Sequence, residues 1–115
     1  KKTLKTHSES IDAKLAIGRL YCFLDDGKAA LEAVSGASPE QTSDKAQLAM
    51  IKGWANRRLK NYEISEEFLL KAVKLNPKSP RIHYELGNLY HASGKPQKAG
   101  IAYKSALTLL LGEER

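Results

Sequence analysis

An all-α fold built from three antiparallel helix pairs follows from three observations on the sequence. The first is a recurrence: Gly53 and Gly87 lie 34 residues apart, and the same interval separates Ala72 from Ala106 and Leu69 from Tyr103. Upstream, Ile17-Gly18 followed by Tyr21 echoes Leu86-Gly87 followed by Tyr90, with Gly18 standing 35 residues before Gly53. A period of this length marks a repeat architecture. The second observation is punctuation, because glycines and prolines fall between apolar periodic stretches as turns between helices do. The third is that no segment shows the alternating apolar and polar residues of a half-buried strand.

The elements follow in order. Ser10 caps a first helix that runs to about Leu24, and Asp25-Asp26-Gly27 reads as a turn. Lys28 to Val34 makes a short second helix, closed by Ser35-Gly36-Ala37-Ser38-Pro39, although Pro39 also suits the start of a longer third helix. Asp44 to Leu59 is helical by pattern and turns around Lys60-Asn61. Tyr62 to Leu75 follows, and Asn76-Pro77 stops it. Ser79 before Pro80 opens the next helix, since proline in the first turn gives up an N–H that has no partner there anyway. Gly94 supplies a left-handed exit, and Pro96 opens a last helix ending near Gly112. The units are then 11–45, 46–79 and 80–115, with residues 1–10 a lead-in or the end of a preceding helix. A chain that opens on Lys1 is expected to be an excerpt or a processed form.

Composition bounds the function. The chain has 115 residues, 42% hydrophobic and 28% charged, which suits one globular domain. Its 19 basic and 13 acidic side chains give a net charge of +6, which favours an acidic partner or serves solubility alone. The absence of a run of like charges disfavours a dedicated nucleic-acid tail. Cys22 is the only cysteine, so an internal disulfide and a cysteine-based zinc site are excluded, and a reducing, cytoplasmic setting is expected. Leu109-Leu110-Leu111 is far shorter than the roughly 20 residues of a membrane span.

No catalytic constellation is present. His7, His83 and His91 lack metal-ligand spacing, and the glycines are too far apart for a phosphate loop. Asp25-Asp26 and Glu66-Glu67 are sequence neighbours, which places each pair on different faces rather than in one acid/base site. Cys22 has no histidine nearby to activate it and reads as an inert, half-buried thiol. The expectation is a protein that is not an enzyme and takes no cofactor.

The periodic positions resemble the tetratricopeptide repeat, whose pattern runs W-x2-L-G-x2-Y, A-x3-F, A, P. The third copy reads His83, Leu86-Gly87, Tyr90, Ala99, Tyr103 and Ala106. The second reads Ala49, Lys52-Gly53, Asn56, Ser65, Leu69, Ala72 and Pro77, and the first Lys14, Ile17-Gly18, Tyr21, Ala30, Val34 and Ala37. Lys52 and Asn56 depart from the pattern, so either that helix is rotated or its groove face is unusually apolar, with Met50, Ile51 and Trp54. Leu111 replaces the final proline, which allows the last helix to run on.

The resemblance implies a right-handed α-solenoid whose first helices line a concave surface. Carried over, that surface holds Leu15, Met50 and Tyr84 in one row and Arg19, Trp54 and Asn88 in a second. Phe23, Arg57, Arg58 and His91 gather at the far end, and Arg81 stands at the near end. Arginine beside Trp and Tyr is a composition typical of interaction hot spots. The competing structural reading is core packing for Trp54 and an ordinary solvated pair for Arg57 and Arg58. One subtype of the family clamps a terminal carboxylate with Lys, Asn and Arg. Of Leu15, Arg19, Ile51, Arg81 and Glu85, only Arg81 resembles that clamp, and Glu85 would repel a carboxylate.

The resemblance therefore implies a scaffold or adaptor that binds a peptide or partner protein. A second reading is a basic solenoid that binds RNA or another polyanion, with RNA disfavoured because only Trp54 and Tyr84 could stack bases. A third is self-association. Ile101, Tyr103, Leu107, Leu109, Leu110 and Leu111 are too many apolar residues for one helix face, so a further repeat or a second copy of the chain is expected to cover some of them.

Overall fold

A computed structural model describes residues 10–112; residues 1–9, His7 among them, and the last three residues lie outside the described part. Six α-helices fill it: α1 (Ile11–Phe23), α2 (Gly27–Ala33), α3 (Thr42–Arg58), α4 (Tyr62–Leu75), α5 (Pro80–Ala92) and α6 (Pro96–Leu111). They pair as α1–α2, α3–α4 and α5–α6, and both helices of each pair pack on the first helix of the next. The chain is all-α, a row of three antiparallel hairpins 51 × 33 × 20 Å in extent.

The same turn closes all three hairpins. Asp25, Lys60 and Gly94 take left-handed φ values of 62°, 66° and 79°. Each is followed by a residue whose N–H returns to a carbonyl five positions back: Asp26 to Tyr21 (2.9 Å), Asn61 to Asn56 (2.8 Å) and Lys95 to Tyr90 (2.8 Å). This is the six-to-one bond that satisfies orphan carbonyls at a helix end. Asp26, Asn61 and Lys95 then serve as the N-caps of the returning helices. The left-handed residue stands one or two positions before the Gly27 and Asn61 that mark the turns in the sequence. Gly27 itself begins α2, where a Cβ would lie 2.5 Å from the Ala55 carbonyl of α3. It is a close-approach glycine.

Packing within each hairpin explains the recurring small residues. A Cβ on Gly18 would lie 2.7 Å from Val34, one on Gly53 2.5 Å from Leu69, and one on Gly87 2.6 Å from Tyr103. Ser65, where the repeat pattern has alanine, is fully buried and donates to the Gly53 carbonyl at 2.7 Å. α3 therefore keeps the repeat register despite Lys52 and Asn56. Asn56 is buried because its amide is used: Nδ2 donates to the Lys52 carbonyl at 2.8 Å and Oδ1 accepts from Asn61 at 3.2 Å. Ser10 and Ser79 cap α1 and α5 as the sequence predicts, accepting from Ala13 and Ile82. α6, without a terminal proline, runs to Leu111 and ends on left-handed Gly112.

Candidate partner-binding groove

α1, α3 and α5 stand side by side, and the C-terminal halves of α1 and α3 meet the N-terminal half of α5 around one carboxylate, so Arg81 joins Phe23 and Arg57 instead of standing at the opposite end of the groove. Glu85 is 1% exposed. Its Oε1 accepts from Arg57 Nη2 at 3.1 Å and from Asn88 Nδ2 at 3.5 Å, and its Oε2 accepts from Arg81 Nη2 at 2.9 Å. Tyr103 of α6 donates its hydroxyl to Asn88 Oδ1, tying the last helix into the network. Two guanidinium groups neutralise the buried carboxylate, which is the condition for keeping an ion inside a protein.

Arg81 is also an aromatic hub. Its guanidinium carbon lies 4.5 Å from the Trp54 ring centroid, 5.2 Å from Phe23 and 5.9 Å from Tyr84. Phe23 meets Trp54 edge-on, with centroids 4.8 Å apart and planes at 86°. A cation held over aromatic faces gains about 0.5–2 kcal/mol, more as water is excluded. Three hairpins thus contribute to one cluster: Phe23 from the first, Trp54 and Arg57 from the second, Arg81, Tyr84 and Glu85 from the third. Trp54 Nε1, Arg57 Nε and Arg81 Nε are buried and have no acceptor among the described residues, so donors outnumber acceptors here.

The ten residues singled out in the sequence divide into two layers. Leu15, Met50 and Trp54 are 2%, 4% and 2% exposed and form a floor, because the hairpin that follows each of them packs over it. Arg57 is mostly covered as well, through its bond to Glu85. Arg19, Arg81 and Asn88 are half-buried, while Arg58, Tyr84 and His91 are exposed and form the layer a partner could touch. Arg19 bonds Gln47, and a depression of about 210 Å³ connects it past Met50 to Arg81. Arg58 reaches Asp25 at 3.5 Å, and His91 touches none of the network.

One feature of the cluster is not evident in the sequence. Glu85 is read there as a repelling charge, whereas both of its oxygens are committed to arginines. The Arg81–Glu85 half of the arrangement has the i, i+4 spacing of a helical ion pair and was legible; Arg57, 28 residues away, was not. Phe23, 60% exposed, extends the accessible layer over Trp54. Cys22 is fully buried rather than half-buried, and burial first, then the Glu85 charge, pushes its thiol up to about 12. It stays protonated and unreactive at neutral pH.

A row of helical hairpins presenting a mixed cationic and aromatic face is the architecture of a repeat interaction protein. Known proteins specify the class: a TPR repeat model matches residues 59–94, and a tetratricopeptide repeat model matches residues 80–109. Residues 59–109 thus carry tetratricopeptide repeats. The fold of the chain is similar to that of MamA in a crystal structure, with a TM-score of 0.73 and 25% identity over 97% of this chain and 65% of that one. A MamA from Desulfovibrio magneticus RS-1, spanning residue 41 to the end, aligns with a TM-score of 0.71 and 24% identity over 99% of this chain. The chain thus spans somewhat under two thirds of the length of both solved chains, 65% and 64%. No curated protein matches the chain. Tetratricopeptide repeats are protein–protein interaction modules in general, and no described helix is long and apolar enough to cross a membrane.

Proposed function

We propose that the chain is a scaffold module that holds an extended, acidic segment of a partner protein in the groove of α1, α3 and α5. The observation that carries this reading is Arg81, half-buried on Trp54 yet open on its outer side, beside exposed Tyr84, Phe23 and Arg58. Arg19, Arg57, Arg58 and Arg81 face only Asp25 and Glu85 as ion-pair partners among the described residues, so the groove keeps a positive excess. Such an excess steers an acidic segment, while flat aromatic surface supplies contact area. Arg58→Glu and Tyr84→Ala alter the accessible layer without removing a hydrogen bond of the Glu85 network. Titration with an acidic peptide containing an aromatic residue is expected to weaken at least about tenfold in Arg58→Glu. Equal binding by wild type and both variants, or tighter binding of single-stranded RNA in the same assay, overturns the reading.

A second reading concerns the end of the row. Ile101, Leu107, Leu110 and Leu111 of α6 are 69%, 55%, 69% and 59% exposed. An apolar helix face of this kind in a repeat row suits a further hairpin or a second copy of the chain. Val73 and Asn76 of the preceding repeat, the equivalents of Leu107 and Leu110, are half-buried where α5 packs on the second hairpin.

A further inference from the structure

α3 carries two opposed faces. At 3.6 residues per turn, Ala46, Gln47, Met50 and Trp54 form the stripe toward the groove, and Lys45, Leu48, Ala49 and Lys52 form a stripe about half a turn away. On α4, Phe68, Lys71 and Leu75 are spaced three and four residues apart and share a face. Between these two stripes, closed at one end by the loop at Pro39, lies a cavity of about 440 Å³. Small-molecule sites have volumes of about 300–1,000 Å³.

The cavity is unlike the groove in its charges. Leu48, Ala49, Phe68 and Leu75 supply an apolar wall, Lys45, Lys52 and Lys71 supply three ammonium groups, and no carboxylate lines it. The Lys52 ammonium stands 5.6 Å from the Phe68 ring centroid. Among the described residues the groove arginines Arg57, Arg58 and Arg81 each have a carboxylate, whereas none of these three lysines does. Lysine at position 52 is also one of the two departures from the repeat pattern, standing where Leu86 stands in the next repeat.

The neighbouring hairpin provides an internal control. His83, Ser105 and Leu109 are the 34-residue equivalents of Ala49, Lys71 and Leu75, and they line a cavity of about 520 Å³ with Pro77, Ile101 and Lys104. The seam between the two helices of a hairpin is therefore a product of repeat geometry. The three cations with an aromatic wall are particular to α3–α4.

We propose that the α3–α4 seam is a binding site for a small aromatic phosphate monoester. Its ring packs against Phe68 and Leu48, and its phosphate lies among Lys45, Lys52 and Lys71. A phosphate near pH 7 carries ≈ −1.5 to −2 charge and accepts from several donors at once, which matches three unpaired ammonium groups better than a single carboxylate does. The site lies on the face of α3 opposite the groove and stands independently of what the groove binds.

Phenyl phosphate is the probe, with inorganic phosphate and benzyl alcohol as its two halves, titrated into the whole chain and followed by amide chemical shifts. Phenyl phosphate is expected to shift Lys52, Phe68 and Lys71 and to bind at least tenfold tighter than either half, with affinity falling as salt rises. The Lys52→Gln, Lys71→Gln double variant is expected to lose at least tenfold, and Arg58→Glu to bind as wild type. Both variants change side chains outside the core, and an unchanged circular dichroism spectrum verifies the fold. Inorganic phosphate binding as tightly as phenyl phosphate, benzyl alcohol doing so, or a double variant that binds as wild type would each overturn the proposal.

Discussion

Met50 and Tyr84 occupy the same place in successive repeats, yet Met50 is 4% exposed and Tyr84 47%. Trp54 and Asn88 differ in the same sense, the first buried and the second half-buried. Hydrophobicity does not account for this, since a tyrosine and a methionine both pack readily. The difference is the neighbour: α5 lies against α3 and α4, and no described helix lies against the corresponding side of α5 and α6. Position within a hairpin is thus set by the 34-residue period, whereas burial is set by what stacks next. Leu15 and Met50 thus form a floor, and in the row they share with Tyr84 only the last hairpin shows its side chain to solvent.

Ile51 and Glu85 give the sharpest test of this comparison, because they are equivalent and both buried, at 0% and 1%. Glu85→Ala strands Arg57, whose side chain is 14% exposed, beside Arg81. Breaking a buried pair costs 3–5 kcal/mol, and the partial exposure of Arg81 places this case near the low end, about 3 kcal/mol. Ile51→Val only trims a methylene and costs about 1 kcal/mol. Urea unfolding of the two variants measures the contrast. A Glu85→Ala loss no larger than that of Ile51→Val would mean that both arginines relax into solvent, and the network would not be what holds the third hairpin.

Gly53 and Gly87 extend the test to close packing. An added Cβ at Gly53 meets Leu69, which is fully buried, and the Ser65 carbonyl at 3.1 Å. At Gly87 the three nearest atoms all belong to the ring of Tyr103, which is half-buried in the uncovered hairpin. Overpacking costs about 1–3 kcal/mol, so Gly53→Ala is expected near 3 and Gly87→Ala near 1. Equal midpoint shifts on thermal unfolding would show that coverage does not govern rigidity.

These pairs also show what the sequence could convey. The helices were legible because their caps are local: Ser10, Ser79 and Gly94 act within four residues of themselves. The register of α3 was ambiguous because Lys52 and Asn56 violate the pattern by residue type, while Gly53 and Ser65 preserve it by size and by one hydrogen bond. The groove rows were legible as positions. Their burial was not, since Leu15, Met50 and Trp54 are covered by helices remote in sequence. The bond from Arg57 to Glu85 and the meeting of Phe23 with Trp54 join different hairpins, and no local spacing announces them.

Tyr90 and Asn56 separate equivalent positions by pH. Both are buried, but Tyr90 donates its hydroxyl to Glu66 at 2.9 Å, while Asn56 cannot titrate. Burial first, then the Glu66 hydrogen bond and charge, pushes the phenol from 10.0 up to about 12. The folded chain therefore holds this proton more tightly than the unfolded chain. The stabilisation is complete below pH 10 and is lost as pH rises from 10 through 12. Tyr90→Phe is expected to lose about 1 kcal/mol at pH 8 and to show a shallower decline between pH 10 and 12. Identical slopes for the two proteins would place Tyr90 outside the proton linkage.

The smallest expected change in stability lies at the open end of the row. Leu110 corresponds by the 34-residue period to Asn76, which is half-buried beside α5, whereas Leu110 itself is 69% exposed. A charge introduced there removes little buried apolar area, so Leu110→Glu should change unfolding free energy by less than about 0.5 kcal/mol at low concentration. Association is the quantity that should respond. If the uncovered α6 face docks a second copy, wild type should show a sedimentation coefficient and a thermal midpoint that rise with concentration, as mass action requires. Leu110→Glu should show neither, and Leu107→Glu should behave alike because both leucines are exposed on the same helix. Concentration-independent sedimentation of wild type would remove the second copy as the occupant of that face. A large loss of stability in dilute Leu110→Glu would go further, because it would require the side chain to be covered within its own fold.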